Sequence, residues 1–311
     1  MNIILIILAI LCIILLSVIN KKYESFDKKD YAICLWGQPR AIKSTYENFY
    51  KKMAEPLNAD VFMVLQEIDN EDNHDIDNTN LYKKVEGKIT YHNPNVNEIY
   101  KTYYKLIKNS NNYNNDTHLK VFYNYIKINE IFGNLFESNY KYIILSRTDF
   151  LHLFNFPDIL KLSPDSLDNE IFWCYDGHEY QGINATLICI PSSKIREYLT
   201  FYYNFLQDDN NVDYLNEQNT NPSFCIEYFL NEPFKKNNWK IGKIENNSFI
   251  TADSKDEVTT WGQVLYSVEH DVLYKYNEQI DNAYNSLSKV EEGCNWKYIN
   301  EDIDRIVLVK S

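Results

Sequence analysis

The sequence predicts one apolar membrane span followed by one α/β domain. The span is predicted by an uncharged apolar run from Ile3 to Ile19, and the domain by short apolar runs that alternate with helix-like patterns from Tyr31 onward. Short apolar runs between turn signals are typical of buried strands, whereas apolar residues three and four positions apart are typical of helices. Their alternation predicts a largely parallel sheet with helices on both faces.

The N-terminal run is long enough to cross a bilayer. At about 1.5 Å per residue it extends roughly 26 Å, and the stems of Lys21 and Lys22 can reach the headgroups of a hydrocarbon core about 30 Å thick. A cleaved signal peptide is the alternative, but no Lys or Arg precedes the run and no small-residue cleavage pattern follows it. We therefore predict an anchor over residues 1–20, inserted in the lipid bilayer through residues 3–19, and a short polar stem over residues 21–30.

Composition limits the function classes. Hydrophobic residues make up 45% of the chain and aromatic residues 15%, which favours a folded domain over a disordered one. The formal net charge is −13, and no basic stripe is visible, so nucleic acid is not an expected partner. The six cysteines are scattered without metal-ligand spacing, so a structural zinc site is not expected either. A small anionic ligand is compatible with this charge, because it needs only a few placed cations or a metal.

The first half of the domain alternates strands with helices. An acidic, Asn-rich segment over residues 69–80 interrupts the pattern and predicts an exposed loop. The predicted strands are Tyr31 to Trp36, Asp60 to Gln66, Lys88 to His92 and Tyr140 to Ser146, and the predicted helices are Ser44 to Met53, Val96 to Lys108 and Thr117 to Phe136.

The second half is richer in strands, which fits a lobe continuous with the first sheet. Its predicted strands are Glu170 to Tyr175, Ile183 to Ile190, Asn238 to Ile244 and Asn247 to Ala252, and its predicted helices are Ser193 to Leu206 and Pro222 to Leu230.

Parallel sheets bind ligands at the carboxyl ends of their strands. The residues that follow two of the predicted strands are Gly37-Gln38-Pro39-Arg40 and Arg147-Thr148-Asp149. Both groups are therefore candidates for a ligand site.

Four segments carry a family resemblance. LWGQPR, YENFYKKMAEPLNADVFMV, YKYIILSRTDF and the GIN of QGINATLICIPSSK, in this order over roughly residues 31–228, resemble a family of single-span membrane glycosyltransferases of the GT-A fold. The resemblance implies a GT-A-like mixed sheet flanked by helices over residues 31–311, with a donor half over about 31–150 and an acceptor half over about 151–311. It also implies a nucleotide-sugar donor, a glycan, protein or lipid acceptor, and usually a divalent cation, Mn²⁺ or Mg²⁺.

The GT-A signature is an Asp-x-Asp motif at a strand end, where the carboxylates hold the cation. The matching place here contains Arg147-Thr148-Asp149, so only the final Asp is kept. Two alternatives follow. Asp149 binds the cation, with phosphates and waters completing its shell, or Arg147 neutralises the diphosphate directly by bidentate contact.

The other site candidates divide into three roles. On the donor side, Gly37 permits close backbone approach, Gln38 can read a base edge or ribose hydroxyl, and Arg40 can meet a phosphate. Asp176 and Glu227 are candidates for the catalytic carboxylate. The resemblance assigns Gly182 and Asn184 to the acceptor side.

Two questions stay open at the level of sequence. A catalytically inactive descendant that acts as a membrane-tethered binding or structural protein is the alternative to an enzyme, because the Asp-x-Asp motif is incomplete. Lysines follow the span and none precedes it, which favours a cytosolic domain by the positive-inside rule, whereas a conventional type II glycosyltransferase faces the lumen.

Overall fold

The computed structural model describes residues 29–39, 41–66, 85–91, 115–162, 170–176, 182–184, 187–208, 210–211, 213, 217, 226–244, 248–251, 264–267, 272–275, 296–302 and 305–310. The predicted anchor, Arg40, the acidic segment over 69–80 and the helix predicted over 96–108 lie outside the described residues. Within the described ranges, no helix has the length and apolar character needed to cross a membrane.

Thirteen strands are described. They are β1 (Tyr31–Gly37), β2 (Asp60–Gln66), β3 (Gly87–Tyr91), β4 (Tyr142–Arg147), β5 (Phe150–His152), β6 (Phe172–Tyr175), β7 (Leu187–Pro191), β8 (Ile241–Ile244), β9 (Ser248–Ile250), β10 (Val264–Ser267), β11 (Val272–Lys275), β12 (Trp296–Asp302) and β13 (Arg305–Lys310). Nine of them form one sheet in the order β12-β13-β8-β6-β7-β4-β1-β2-β3, while β5 pairs with β9 and β10 with β11.

The large sheet is mixed. Strands β3, β2, β1 and β4 are mutually parallel, as are β6, β8 and β13, but β7 runs antiparallel to both β4 and β6. The alternation of strands and helices had predicted a largely parallel sheet, and the departure at β7 has a physical reason. Only residues 176–186 separate β6 from β7, fewer than the roughly dozen residues that a parallel crossover needs.

Helices cover both faces of this sheet. The described helices are α1 (Ile42–Phe49), which continues as a π-helical turn (Tyr50–Ala54), α2 (Asn115–Asn139), α3 (Ile159–Leu162), α4 (Ile195–Leu206), which follows a 3₁₀ turn (Ser192–Lys194), α5 (Ile226–Leu230) and α6 (Glu232–Asn237). Helix α2 buries Phe122, Tyr125 and Ile128 at the expected spacing of three residues.

The core lies on both sides of β1. Cys34 and Trp36 join the cluster formed with α2 and α4, and Ile33 and Leu35 join the cluster formed with α1. Side chains alternate between faces because successive residues of a strand point in opposite directions. A strand buried on both faces therefore reads as the unbroken apolar run seen in the sequence.

Most predicted elements in the described ranges are present, and β1, β2, β4 and α2 match within about three residues. β7 is shorter than predicted, because it begins at Leu187 and not at Ile183. The N–H of Ile183 donates to the carbonyl of Glu227 at 2.9 Å, so this residue contacts the start of α5 and does not extend the strand. Strands β5 and β10–β13 were not predicted.

Candidate functional site

The carboxyl ends of β1, β2 and β4 open on a cleft of about 180 Å³. The register explains why these ends meet, since Trp36 of β1 pairs with Arg147 of β4 and Gly37 pairs with Leu65 of β2. The cleft is lined by Trp36, Gly37, Gln38, Gln66, Lys120, Val121, Asn124, Arg147, Thr148 and Asp149. Gly37, Gln38, Arg147 and Asp149, four of the five residues that the sequence predicts on the donor side, thus line one cleft.

Two loops of the cleft are joined by hydrogen bonds. The hydroxyl of Thr148 donates to the carbonyl of Gln38 at 2.7 Å. The hydroxyl of Thr45, at the start of α1, contacts the carbonyls of Thr148 at 2.6 Å and of Ala41 at 2.9 Å. Gly37 enters the first loop with a φ of 98°, a conformation that favours glycine. The segments after β1 and β4 therefore form one connected wall.

Arg147 and Asp149 form a bidentate ion pair. The Arg147 Nε donates to Asp149 Oδ1 at 2.8 Å, and Nη2 donates to Asp149 Oδ2. The Asp149 side chain is only 4% exposed, whereas the Arg147 side chain is 32% exposed. The backbone carbonyl of Asp149 also accepts the Thr251 N–H at 3.0 Å. The carboxylate is thus fixed inside the wall, and the guanidinium is the group that reaches the cleft.

Helix α2 forms the opposite wall. Lys120 and Asn124 lie one turn apart on its cleft side, and Val121 lies between them. The amide of Asn124 donates to the Lys120 carbonyl at 2.6 Å. Helix α2 leads into β4 at the amino end of that strand. Its own N-terminal end therefore lies at the other edge of the sheet, near the carboxyl ends of the strands. Lys120 therefore acts on the same space as Arg147.

The carboxylates of the cleft do not fit a divalent cation held by the protein. Among the described residues that line the cleft, Asp149 is the only carboxylate, and both of its oxygens already accept from Arg147. A cation there would displace the guanidinium or lie against it. In the described part of the chain, no group of three or more His, Cys, Asp or Glu side chains is arranged to hold a metal.

Asp176 follows β6 at the same edge of the sheet but outside the cleft lining. The pairs Cys174 with Ile188 and Leu187 with Ser146 bring it level with the end of β4. Because β7 lies between β6 and β4, two strand spacings of about 4.8 Å separate them, or roughly 10 Å. The N–H of Asp176 donates to the carbonyl of Ile244 at 2.7 Å.

The predicted acceptor-side residues contact the start of α5. A Cβ added to Gly182 would overlap the backbone carbonyl of Glu227, so these two predicted residues are in close contact. Asn184 is 2% exposed, and neither it nor Gly182 lines the cleft. The sequence NAT makes Asn184 a glycosylation acceptor pattern, but its burial in the folded chain is incompatible with a glycan there.

Sequence reasoning missed several lining residues. Gln66 ends the predicted strand β2, so the rule that ligands bind at strand ends could have identified it. Lys120 and Asn124 have a weaker signal, a polar pair four residues apart at the start of a helix that is otherwise mainly apolar on that side. In the sequence, Trp36 looks like an ordinary core residue. In the structure its ring does pack edge-on against Tyr125, with the centroids 5.6 Å apart.

No protein family and no curated protein sequence matches this chain. Solved structures to which it is similar include mouse xyloside xylosyltransferase 1 in its apo form, at 8% sequence identity and a TM-score of 0.39, with 68% of this chain and 83% of that chain covered. They also include the apo form of the glycosyltransferase GlyE of Streptococcus pneumoniae, at 12% identity and a TM-score of 0.37, with 68% of this chain and 44% of that chain covered.

Proposed function

We propose that this chain is a glycosyltransferase that moves a sugar from a nucleotide-sugar donor to an acceptor hydroxyl. The observation that carries the proposal is the single cleft lined by residues of both the LWGQPR and the SRTDF segments. This edge of an α/β sheet is the usual place for a ligand. The resemblance of the same two segments to GT-A glycosyltransferases supplies the ligand class.

Charge supports an anionic ligand in the cleft. The whole chain carries a formal charge of −13, yet the described residues of the lining include Lys120 and Arg147 against the single carboxylate of Asp149. Cations grouped in a cleft raise the local concentration of an anion even where the surrounding surface is acidic. A nucleoside diphosphate has the matching charge.

We assign the donor contacts from the chemistry of the lining groups. The backbone at Gly37 allows close approach, Gln38 offers an amide to the base or ribose, and Arg147 offers N–H donors to the phosphates. Arg40 belongs to the same proposed set and lies outside the described residues.

In the reaction, the acceptor oxygen bonds to the anomeric carbon and the bond to the diphosphate oxygen breaks. The acceptor proton passes to a carboxylate, for which Asp176 and Glu227 are the candidates. Gly182 and Asn184 support the acceptor side of the same edge. The charge that develops on the departing diphosphate falls next to Arg147, where a prearranged cation stabilises it.

The proposal includes single-pass attachment to a lipid bilayer through residues 3–19, with the domain on the cytosolic side by the charge bias of Lys21 and Lys22. Carbonate extraction of membranes from cells expressing the full chain checks the attachment, and protease protection checks the side. Release of the chain by carbonate contradicts the anchor. A protected domain contradicts only the orientation.

The function is tested with purified full-length chain in detergent and a panel of nucleotide sugars, each assayed for release of the nucleoside diphosphate with and without Mn²⁺. We expect turnover of at least one donor. Absence of both turnover and a thermal shift with every nucleotide overturns the proposal. If a nucleotide binds but no donor is turned over with any acceptor extract, the result supports the catalytically inactive alternative instead.

A matched pair of arginine variants tests the site. Arg147→Ala removes one of the two cleft cations, and we expect donor turnover to fall by at least about tenfold, as for the loss of one charge-assisted hydrogen bond. Arg196→Ala makes the same charge change on the exposed face of α4, where Arg196 and Glu137 form an open ion pair at 3.7 Å. Equal activities of the two variants contradict the site assignment.

A further inference from the structure

We infer that the donor diphosphate is bound by the cations Arg147 and Lys120 without a divalent metal held by the protein, and that Asp149 serves to position Arg147. This inference rests on the proposed function and specifies how its site binds the donor. It departs from the role that the GT-A signature gives to an aspartate at this strand end.

The first step is the state of the Asp149 carboxylate. Both oxygens accept charge-assisted hydrogen bonds from Arg147, and the side chain is 4% exposed. The backbone of the same residue is fixed by the Thr251 N–H. A hard cation needs carboxylate oxygens that are free to turn toward it. Here those oxygens are already bound inside the wall, and an incoming cation would meet the positive guanidinium.

The second step is the guanidinium itself. The ion pair uses its Nε and Nη2, so the N–H groups of Nη1 are left for a ligand. The guanidinium group also lies over the ring of Phe150, with the Arg147 Cζ 5.7 Å from the ring centroid. A carboxylate on one edge and a ring beside it restrict the guanidinium to one orientation. Such a prearranged fork matches the geometry of phosphate oxygens.

The third step is the second cation. Lys120 lies on α2 and lines the same cleft as Arg147. The two side chains thus approach a ligand from different walls. Together with Asp149 they give the described part of the lining one excess positive charge, which a diphosphate reverses when it binds. The cleft therefore supplies from side chains the positive charge that a metal supplies in other sites.

Isothermal titration of the full-length chain with UDP, GDP, ADP and CDP, in EDTA and in Mn²⁺ or Mg²⁺, tests the inference. We expect at least one nucleoside diphosphate to bind in EDTA with an affinity within about threefold of that in metal. Binding that EDTA abolishes overturns this inference and leaves the proposed function intact. Absence of binding in both conditions overturns the proposed function and this inference with it.

Two lysine variants on one helix test the second cation. Lys120→Ala should weaken nucleoside diphosphate binding in EDTA by about tenfold, as expected for the loss of one charge-assisted contact. Lys127→Ala removes the same charge two turns along α2, where Lys127 pairs with Glu130 at 2.6 Å, and should leave binding unchanged. Equal affinities of the two variants contradict the role of Lys120.

A double-mutant cycle tests the positioning role of Asp149. Asp149→Asn should weaken binding in EDTA when Arg147 is present, and should not weaken it in the Arg147→Ala background, where it removes a buried unpaired carboxylate. A purely structural role predicts that Asp149→Asn weakens binding equally in both backgrounds. A metal-ligand role predicts that Asp149→Asn changes binding only when Mn²⁺ or Mg²⁺ is supplied. Either of the last two results overturns the inference.

Discussion

Two glycines of the site are required for different physical reasons. Gly37 has a φ of 98° but open space around the position of a Cβ, so the backbone conformation alone excludes other residues there. Gly182 is required by contact, since an added Cβ would overlap the carbonyl of Glu227. The first glycine turns the chain into the cleft, and the second lets the segment before β7 pack on the start of α5.

Gly182→Ala should lower the free energy of unfolding by about 1–3 kcal/mol, because backbone atoms must move to accommodate the methyl group. Urea unfolding followed by circular dichroism measures the change. Gly133→Ala on α2 is the control, since its Cβ would meet the flexible end of Asn129 at 2.6 Å and the Arg196 side chain at an ordinary 3.5 Å, and a helix favours alanine over glycine by about 1 kcal/mol. Equal midpoints for the two variants contradict the packing described at Gly182.

Thr148→Val should lower the free energy of unfolding by about 1 kcal/mol and weaken nucleotide binding as well. The substitution removes the hydroxyl that donates to the Gln38 carbonyl at 2.7 Å, and the threonine is 4% exposed. Thr200→Val on α4 removes a hydroxyl bound only to carbonyls of its own helix, those of Arg196 and Glu197. The control should alter stability slightly and leave nucleotide affinity unchanged, as titration of both variants can show.

Helix α2 connects the core to the cleft. On its inner face, Phe122 stacks on Tyr202 of α4 at 4.9 Å, while Lys120 and Asn124 of the same helix line the cleft. Between α2 and α4, the buried rings of Tyr125, Tyr198 and Tyr202 pack against one another as a series, with centroids 5.6 to 5.8 Å apart. The series ends where Tyr202 donates to the Leu230 carbonyl of α5 at 3.0 Å. The position of Lys120 therefore depends on aromatic packing inside the core.

Tyr202→Phe keeps the ring and removes the hydroxyl, which leaves the Leu230 carbonyl without this partner. We expect a loss of about 1–2 kcal/mol in the free energy of unfolding, since buried polar groups that lose a partner are not rehydrated. The neighbouring residue offers a control, because Tyr203 is 38% exposed and Tyr203→Phe should change stability by less than about 0.5 kcal/mol. Equal denaturant midpoints for Tyr202→Phe and Tyr203→Phe contradict the hydrogen bond from Tyr202 to the Leu230 carbonyl.

The local sequence pattern was sufficient to predict the elements whose burial is visible in the spacing of their own apolar residues. β1, β2 and β4 are buried on both faces and so appear as unbroken apolar runs, and α2 shows its buried face at helical spacing. The direction of β7 and the pairing of β5 with β9 depend on contacts between residues far apart in the chain, which no local window contains. The three-residue strand β5 is also too short for a period to be visible.

The candidate site was predictable in part for the same reason. Gly37, Gln38, Arg147 and Asp149 follow strands that were predicted, so one rule about sheet edges grouped them correctly. Lys120 comes from a helix, and its approach to the cleft depends on how α2 packs across the sheet. From the sequence alone, either Asp149 could bind a cation or Arg147 could contact the phosphate. The ion pair between the two side chains is visible only in the folded structure.

Buried tyrosines give the whole molecule a sensitivity to alkaline pH. The chain has 26 tyrosines, and burial raises the pKa of several of them above the ordinary value of 10, with that of Tyr142 reaching about 12. Burial likewise raises the pKa of the thiols of Cys34 and Cys189. The tyrosines whose pKa is raised most by burial are Tyr31, Tyr125, Tyr175, Tyr198 and Tyr202. All of these groups are neutral in the folded chain at neutral pH.

The sign of the pH dependence follows from which state holds the protons. Above pH 10 an unfolded tyrosine loses its proton while a buried one keeps it, so unfolding releases protons and the free energy of unfolding falls as pH rises. Each such tyrosine contributes a loss of about 1.4 kcal/mol per pH unit between its unfolded and folded pKa values. Because unfolded thiols ionise first, full stability is expected below about pH 9, with cooperative unfolding between about pH 10 and pH 12 as the tyrosines follow.

Tyrosinate absorbance and far-ultraviolet circular dichroism, recorded on one alkaline titration, check this expectation. Exposed tyrosine side chains should ionise first, with the secondary structure intact. The buried set should ionise in a second phase that coincides with the loss of the circular dichroism signal, because those hydroxyls lose their protons only when the core opens. A single ionisation phase that leaves the secondary structure unchanged contradicts the burial of the tyrosine series between α2 and α4.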